Sequence, residues 1–246
     1  MIRWKPILFI LISLLSATKT NAQIDSVSIK ETKPKKEFLK KTILPTTLIL
    51  TGIALNKSDF EKDFTKNVRN SVGNDFEFAI DDYIQYVPIA EMYGADLLGI
   101  EAKNHWFDQT KYLAISQLTT AIIVHSIKRG MGKQRPDGTP NAFPSGHTSQ
   151  AFVGATVLFQ EFKTTSPVLA YSGFAFSTTT GAFRIMNNKH WLSDVVTGAG
   201  ISILVVNLVY YIEPLKNFNP FKKDKTTSLV PYFNENEVGI YFSKSF

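Results

Sequence analysis

The chain has 246 residues, 44% of them hydrophobic and 20% charged, with a formal net charge of +6. That length allows one domain with a sizeable core, and the absence of cysteine excludes disulfides and thiolate-held metals. The basic surplus is local, with no interleaved basic and aromatic platform of the kind nucleic acid requires.

In chain order, Arg3 and Lys5 precede an apolar run, Ile7–Leu15, and a polar stretch then ends in Thr20-Asn21-Ala22. This is the layout of a secretory signal over residues 1–22, with cleavage expected after Ala22. The run is short for a membrane span, which needs about 20 apolar residues. Loss of the leader would remove Arg3, Lys5 and Lys19 and no acid, leaving +3 of the +6. Residues 23–41 are expected to form a loose polar arm, and there Lys30, Lys33, Lys35, Lys36, Lys40 and Lys41 crowd together. Such a cluster is either solvated or drawn to an anionic membrane surface.

Six apolar segments follow: Ile43–Leu55, Tyr86–Ile100, Tyr112–Ile127, Ala151–Phe162, Pro167–Phe183 and Val195–Ile212. They predict an all-α domain over residues 42–213, a bundle of about six core helices. Between the first two, Phe60, Phe64 and Val68 recur every four residues among charges, which predicts an amphipathic helix facing the core. Only Val195–Ile212 approaches the length of a span. Tyr112–Ile127 carries Gln117, Thr119, Thr120 and His125. The pattern suits buried helices of a compact domain, and equally a small polytopic protein whose polar residues face inward. Residues 214–246 read as a linker with Pro214 and Pro220, then a short hairpin of Ser228–Phe233 and Val238–Phe242.

Three stretches carry chemistry. The first, "KRGMGKQRP", holds Lys128, Arg129, Lys133 and Arg135. The second, "FPSGHTSQAF", places His147 in the first turn of a helix beside Gly146 and Ser145. The third, "RIMNNKHWLSD", sets His190 and Asp194 four residues apart after Arg184. At that spacing they share one helical face, and the aspartate can hold one imidazole proton while the other nitrogen attacks. Antiparallel helices bring all three stretches to one end of the bundle. Cations around an exposed helix N-terminus are what a phosphate requires. A zinc site from His147, His190 and Asp194 competes, but Lys128, Arg135 and Arg184 would repel a dication.

Lys128 with six residues before Arg135-Pro136, then Pro144-Ser145-Gly146-His147, then Arg184 with five residues before His190 and three more before Asp194, resembles the three-part signature of the type 2 phosphatidic acid phosphatase family. That family shares its site architecture with vanadium haloperoxidases and bacterial class A acid phosphatases. One position departs from the pattern: Phe183 stands where the family usually has serine.

The resemblance implies phosphoryl transfer with neither metal nor cofactor. His190 would be the nucleophile, oriented by Asp194, and His147 the acid and then the base. Lys128, Arg135, Arg184, the Gly146 amide and the Ser145 hydroxyl would bind the phosphoryl oxygens. The expected substrate is a phosphorylated membrane lipid: phosphatidic acid, an isoprenoid pyrophosphate or lipid A. The expected location is the bacterial envelope, facing the periplasm, membrane-associated or integral. The alternatives are a soluble periplasmic acid phosphatase of broad specificity, a vanadate-dependent haloperoxidase and a non-catalytic binder of phosphorylated lipid. The intact His147, His190 and Asp194 argue against the last.

Overall fold

The structure, a computed structural model, describes residues 33–212, 215, 227–234 and 237–244. The expected leader, residues 23–32 of the arm and nearly all of the linker lie outside them. Eight helices occur among the described residues: α1 Lys33–Leu55, α2 Asp59–Val72, α3 Asp81–Ile84, α4 Val87–Leu97, α5 Trp106–Met131, α6 Gly146–Phe162, α7 Pro167–Met186 and α8 Leu192–Tyr211. The six long apolar ones match the six segments of the sequence. The backbone of Thr227–Asn234 pairs antiparallel with that of Glu237–Lys244.

The core forms where small and branched residues coincide. α6 is buried along most of its length, from Ala151 to Phe162. Its Val153, Val157, Leu158 and Phe162 meet Met92 of α4, Leu113 of α5, Ala170 of α7 and Val206 of α8. A helix buried all round lies at the centre of a bundle, and α4, α5, α7 and α8 pack around it. Two glycines let backbones touch. A Cβ on Gly198 would stand 2.8 Å from the Ser145 carbonyl oxygen, and one on Gly200 would stand 2.8 Å from the Pro45 carbonyl oxygen. The first contact seats the start of α6 on α8, and the second seats α1 on α8.

Successive helices run in opposite directions. At one end, residues 56–86, 131–146 and 186–192 gather. At the other, the Lys103 amide donates to the Glu161 carbonyl at 2.9 Å, and the Asn104 amide to the buried Glu161 carboxylate at 2.9 Å. That fixes the α4–α5 loop to the end of α6. α1 enters and α8 leaves at this same end, where Phe38 stacks on Tyr211 with ring centroids 4.1 Å apart.

Two expectations fail. The arm is helical from Lys33 onward rather than loose to residue 41, since lysine and glutamate are good helix formers and the apolar run beyond them extends the helix. The amphipathic helix α2 is rotated about one residue from the orientation expected: Phe64 and Val68 are half-buried, and the most buried positions are their polar neighbours. Phe60 is 60% exposed and stacks on Phe64, whereas Glu61 and Thr65 are buried. What draws α2 inward is a charge on the bundle, described next.

Candidate active site

The three chemistry-bearing stretches meet at the end formed by residues 56–86, 131–146 and 186–192. Lys128 stands in the last turn of α5, whose end is set by Gly132 in the left-handed conformation. Ser145 caps α6 and puts Gly146 and His147 in its first turn. His190 lies just before α8 rather than on it. Asp194, at the third position of α8, accepts from the Trp191 amide at 2.9 Å and faces His190 Nδ1 at 3.2 Å. The pairing thus belongs to a helix start, not to a helix face as the spacing suggests.

Behind this pair lies a buried chain of charge. The Lys133 ammonium donates to Asp194 Oδ1 at 3.0 Å, to Ser193 Oγ at 2.8 Å and to Glu61 Oε1 at 2.8 Å. Glu61 Oε2 also accepts from the Ser193 amide at 3.3 Å. Glu61, Lys133, Asp194 and His190 are all buried. Two carboxylates and one ammonium leave one net negative charge beside the imidazole. Without Glu61, Lys133 alone would cancel the charge of Asp194. Burial pushes the pKa of His190 down to about 4, partly opposed by Asp194. At neutral pH its ring is therefore neutral: Nδ1–H donates to Asp194 and Nε2 carries the lone pair.

His190 opens on a cleft of about 330 Å³ between α5 and α6, which Lys128, Arg135, Gly146 and His147 also line, with Tyr86, Gln117 and Val124 further out. The Lys128 ammonium donates to the Asn141 and Ala142 carbonyls at 2.8 and 3.3 Å. Burial first, then Arg135, lowers its pKa to about 8. Among the described residues neither Lys128 nor Arg135 is paired with a carboxylate, and Nε of Arg135 and Nε of Arg184 are buried with no hydrogen-bond partner. A Cβ on Gly146 would find only the side chain of Lys128, at 3.9 Å. Packing does not demand glycine there; the space beside it belongs to the cleft.

The other cations are matched. Arg184 Nη1 meets Asp81 Oδ2 at 2.6 Å and Asp82 Oδ1 at 3.6 Å, and Lys189 meets Asp137 at 3.2 Å. Asp82 Oδ1 also lies 2.9 Å from His147 Nε2. Burial and Arg184 lower the pKa of His147, and Asp82 opposes them. Asn187 binds both faces of the entering loop: its Oδ1 accepts from the Phe78 amide at 3.0 Å, and its Nδ2 donates to the Phe78 carbonyl and to Asp81 Oδ1, each at 2.9 Å.

Of the expected residues, Lys128, Arg135, Gly146, His147 and His190 line the cleft, and Asp194 and Arg184 stand directly behind it. Ser145 differs. Its hydroxyl is fully buried, 2.9 Å from Thr148 Oγ1, and accepts from the Thr148 amide at 3.4 Å, so it is a helix cap and not a wall of the cleft. Phe183 packs its ring on Phe78, centroids 5.7 Å apart, and so braces the loop that brings Asp81 to Arg184. Glu61, Asp81, Asp82 and Asn187 are absent from the expected set. The three acids lie more than 40 residues before the first basic stretch, with no spacing that connects them to it.

A helical bundle whose one end joins a carboxylate-backed histidine to an unneutralised cationic cleft defines a recognisable class of protein. Residues 109–218 match the profile of the PAP2 superfamily. It is 31% identical over 192 residues to the lipid A 1-phosphatase of Porphyromonas gingivalis, an overlap of 77% of this chain and 42% of that protein. The chain thus spans less than half the length of this relative. Two crystal structures are similar. LpxE of Aquifex aeolicus has a TM-score of 0.48 at 19% identity, covering 63% of this chain and 98% of its own. The transmembrane PAP2-type phosphatidylglycerolphosphate phosphatase of Bacillus subtilis has a TM-score of 0.49 at 15% identity, covering 73% and 99%.

The depressed pKa of His190 makes the fold sensitive to acid. Between pH about 6.5 and about 4 an unfolded chain protonates this histidine and the folded chain does not. Stability should therefore fall as pH drops through that window and level off below it. Unfolding midpoints of the detergent-solubilised protein across pH 3.5–8, compared with those of His190→Gln, check this; the variant should lack this component of the slope.

Glu61→Gln leaves the buried Lys133 with one carboxylate instead of two, so it should lower the unfolding midpoint of the detergent-solubilised protein at neutral pH. An unchanged midpoint would contradict the role given to Glu61.

Proposed function

We propose that the chain is a phosphatase of membrane lipid phosphates that works through a phosphohistidine at His190. The observation that carries this reading is the pair of cations, Lys128 and Arg135, left without carboxylate partners on the cleft that His190 lines. They offer the charge that a phosphate dianion would neutralise.

In the first step His190 Nε2 attacks phosphorus, a P–N bond forms and the bond to the leaving oxygen breaks. Lys128, Arg135 and Arg184, with the amide of Gly146 at the start of α6, stabilise the charge that gathers on the phosphoryl oxygens. Asp194 holds the ring and stabilises the imidazolium that forms, and Glu61 keeps Lys133 from cancelling it. His147 gives a proton to the leaving oxygen, then takes one from the water that cleaves the P–N bond. The incoming phosphate takes over the place of the Asp82 carboxylate beside His147 and Arg184. Its negative charge raises the pKa of His147 and so favours the protonated acid.

A lipid substrate is supported by the apolar surroundings. Phe38–Leu55 and Leu192–Tyr211 are long and apolar enough to cross a membrane, and only 11% of the first is buried. Leu118 and Ile122 of α5, each next in sequence to a cleft-lining residue (Gln117 and Ala121), are more than half exposed, which offers tails a contact that small esters cannot use. The 1-phosphate of lipid A is the leading candidate among such substrates, by analogy with the relative from Porphyromonas gingivalis. The described strands at the C-terminus have no part in this reading.

We take the cleft to face the periplasm. α1 runs toward the site, so in a spanning bundle its Phe38 and the cleft lie on opposite sides. Lys40 and Lys41 lie at the end away from the cleft, and lysines concentrate on the cytoplasmic side of spanning helices. This orientation and cleavage after Ala22 exclude each other, because cleavage would leave Ala22's neighbour Gln23 on the periplasmic side. The chain has no cysteine, so single cysteines can report. Lys57→Cys, at the site end, should react with an impermeant maleimide added to periplasm-permeable cells with intact inner membranes, and Lys163→Cys should not. The reverse pattern would put the cleft in the cytoplasm.

Phosphate release by the purified protein tests the chemistry. His190→Ala should lose at least about a thousandfold in kcat with the fold intact, exhaustive chelation should leave the parent active, and orthovanadate should inhibit it. In mixed micelles kcat/KM should favour lipid A 1-phosphate or phosphatidic acid over p-nitrophenyl phosphate. Equal or lower efficiency on every lipid would move the enzyme to the broad-specificity acid phosphatases, and activity that needs added zinc or magnesium would end the phosphohistidine reading.

A further inference from the structure

The bundle has a second concavity, on a different face from the cleft. α7 and α8 diverge over α6, with α1 along the far side of α8, and leave a groove of about 780 Å³. Its walls are Leu44 and Leu48 of α1, Phe152 and Phe159 of α6, Phe174 of α7 and Val195 of α8. At the site end it stops at Ile185 and Leu192, and at the other end it reaches Lys40, Lys41 and Lys163. Along α7 it follows the helix from Tyr171 to Ile185, about 21 Å at 1.5 Å per residue. It is long enough for extended hydrocarbon, apolar along its length and cationic at one end only.

The cationic end is built rather than incidental. Lys163 Nζ donates to Gln160 Oε1 at 2.8 Å, Gln160 Nε2 donates to Asn207 Oδ1 at 2.8 Å, and Asn207 Nδ2 donates to the Lys41 carbonyl at 3.1 Å. Gln160 and Asn207 are buried. This chain laces α6 to α8 and α8 to α1, and it sets the backbone of Lys41 opposite the side chain of Lys163. The α1 wall is the segment Phe38–Leu55, apolar enough to cross a membrane, and Leu39, Ile43 and Leu44 on it are about 60% exposed. Lys40 and Lys41 stand at the start of that segment. There long side chains reach from hydrocarbon to the headgroup layer, and each lysine near an anionic surface is attracted to it.

We propose that this groove holds one anionic diacyl phospholipid, with its acyl chains between α7 and α8 and its phosphodiester among Lys40, Lys41 and Lys163. The charge selects the headgroup and the groove accepts the tails. The lipid is resident and not a substrate: the cleft with His190 opens between α5 and α6, and the groove shares no lining residue with it. Its function is to hold α1 against the bundle. The proposal does not depend on the reaction at His190.

The test uses the full chain in neutral detergent and native mass spectrometry with phosphatidylglycerol or phosphatidylcholine of the same chain length. Phosphatidylglycerol should be retained as a single adduct at least about tenfold more tightly. The triple variant Lys40→Gln, Lys41→Gln, Lys163→Gln should abolish that difference and leave phosphate release from a soluble ester unchanged. Ala182→Trp, which fills the groove from its exposed wall, should lose both lipids. Equal retention of the two lipids, or a triple variant that still prefers phosphatidylglycerol, would overturn the proposal. So would displacement of the adduct by saturating orthovanadate, which would place the lipid in the cleft.

Discussion

The ammonium of Lys133 holds the site end together. It is buried and takes three partners: Glu61 from α2, and Ser193 and Asp194 from α8. Burying an ammonium costs free energy that neighbouring carboxylates offset, and Glu61 and Asp194 both do so for Lys133. That arrangement explains features otherwise unconnected. α2 turns Glu61 inward and leaves Phe60 in the open. α8 begins where it does because Asp194 must serve the Trp191 amide, Lys133 and His190 at once. The imidazole faces the cleft with its tautomer already chosen.

The same accounting divides the cations into two kinds. Lys133, Arg184 and Lys189 each have an acid, and they shape the site. Among the described residues Lys128 and Arg135 have backbone partners or none. Lys128 shows the strain of that arrangement: burial and a neighbouring cation bring its pKa down to about 8. On the proposed reading, a bound phosphate relieves an electrostatic cost that the folded protein already bears.

Much of this was legible in the sequence. Six apolar segments gave the six long helices, and their alternation placed the three basic and histidine-bearing stretches at one end. What escaped the sequence has a common physical cause. Glu61, Asp81 and Asp82 meet the site through tertiary packing, so no spacing connects them to the residues they serve. Asn187 reads as a helix breaker, and it is one, but its amide also binds the Phe78 backbone on both sides. The Ser145 hydroxyl could be placed beside a phosphate by motif alone; only the geometry gives it to Thr148. Phe183 is similar: a departure at a motif position whose consequence, a ring against Phe78, depends on a loop about 100 residues earlier.

The stacking of Phe38 on Tyr211 brings the two ends of the helical domain side by side, about 30 Å of helix away from the histidines at 1.5 Å per residue. Phe38 and Tyr211 therefore share the floor of the bundle farthest from the histidines. Sequence can be added at either end without first crossing the mouth of the cleft. Such a domain is a plug-in unit, free to be carried by polypeptides of very different length.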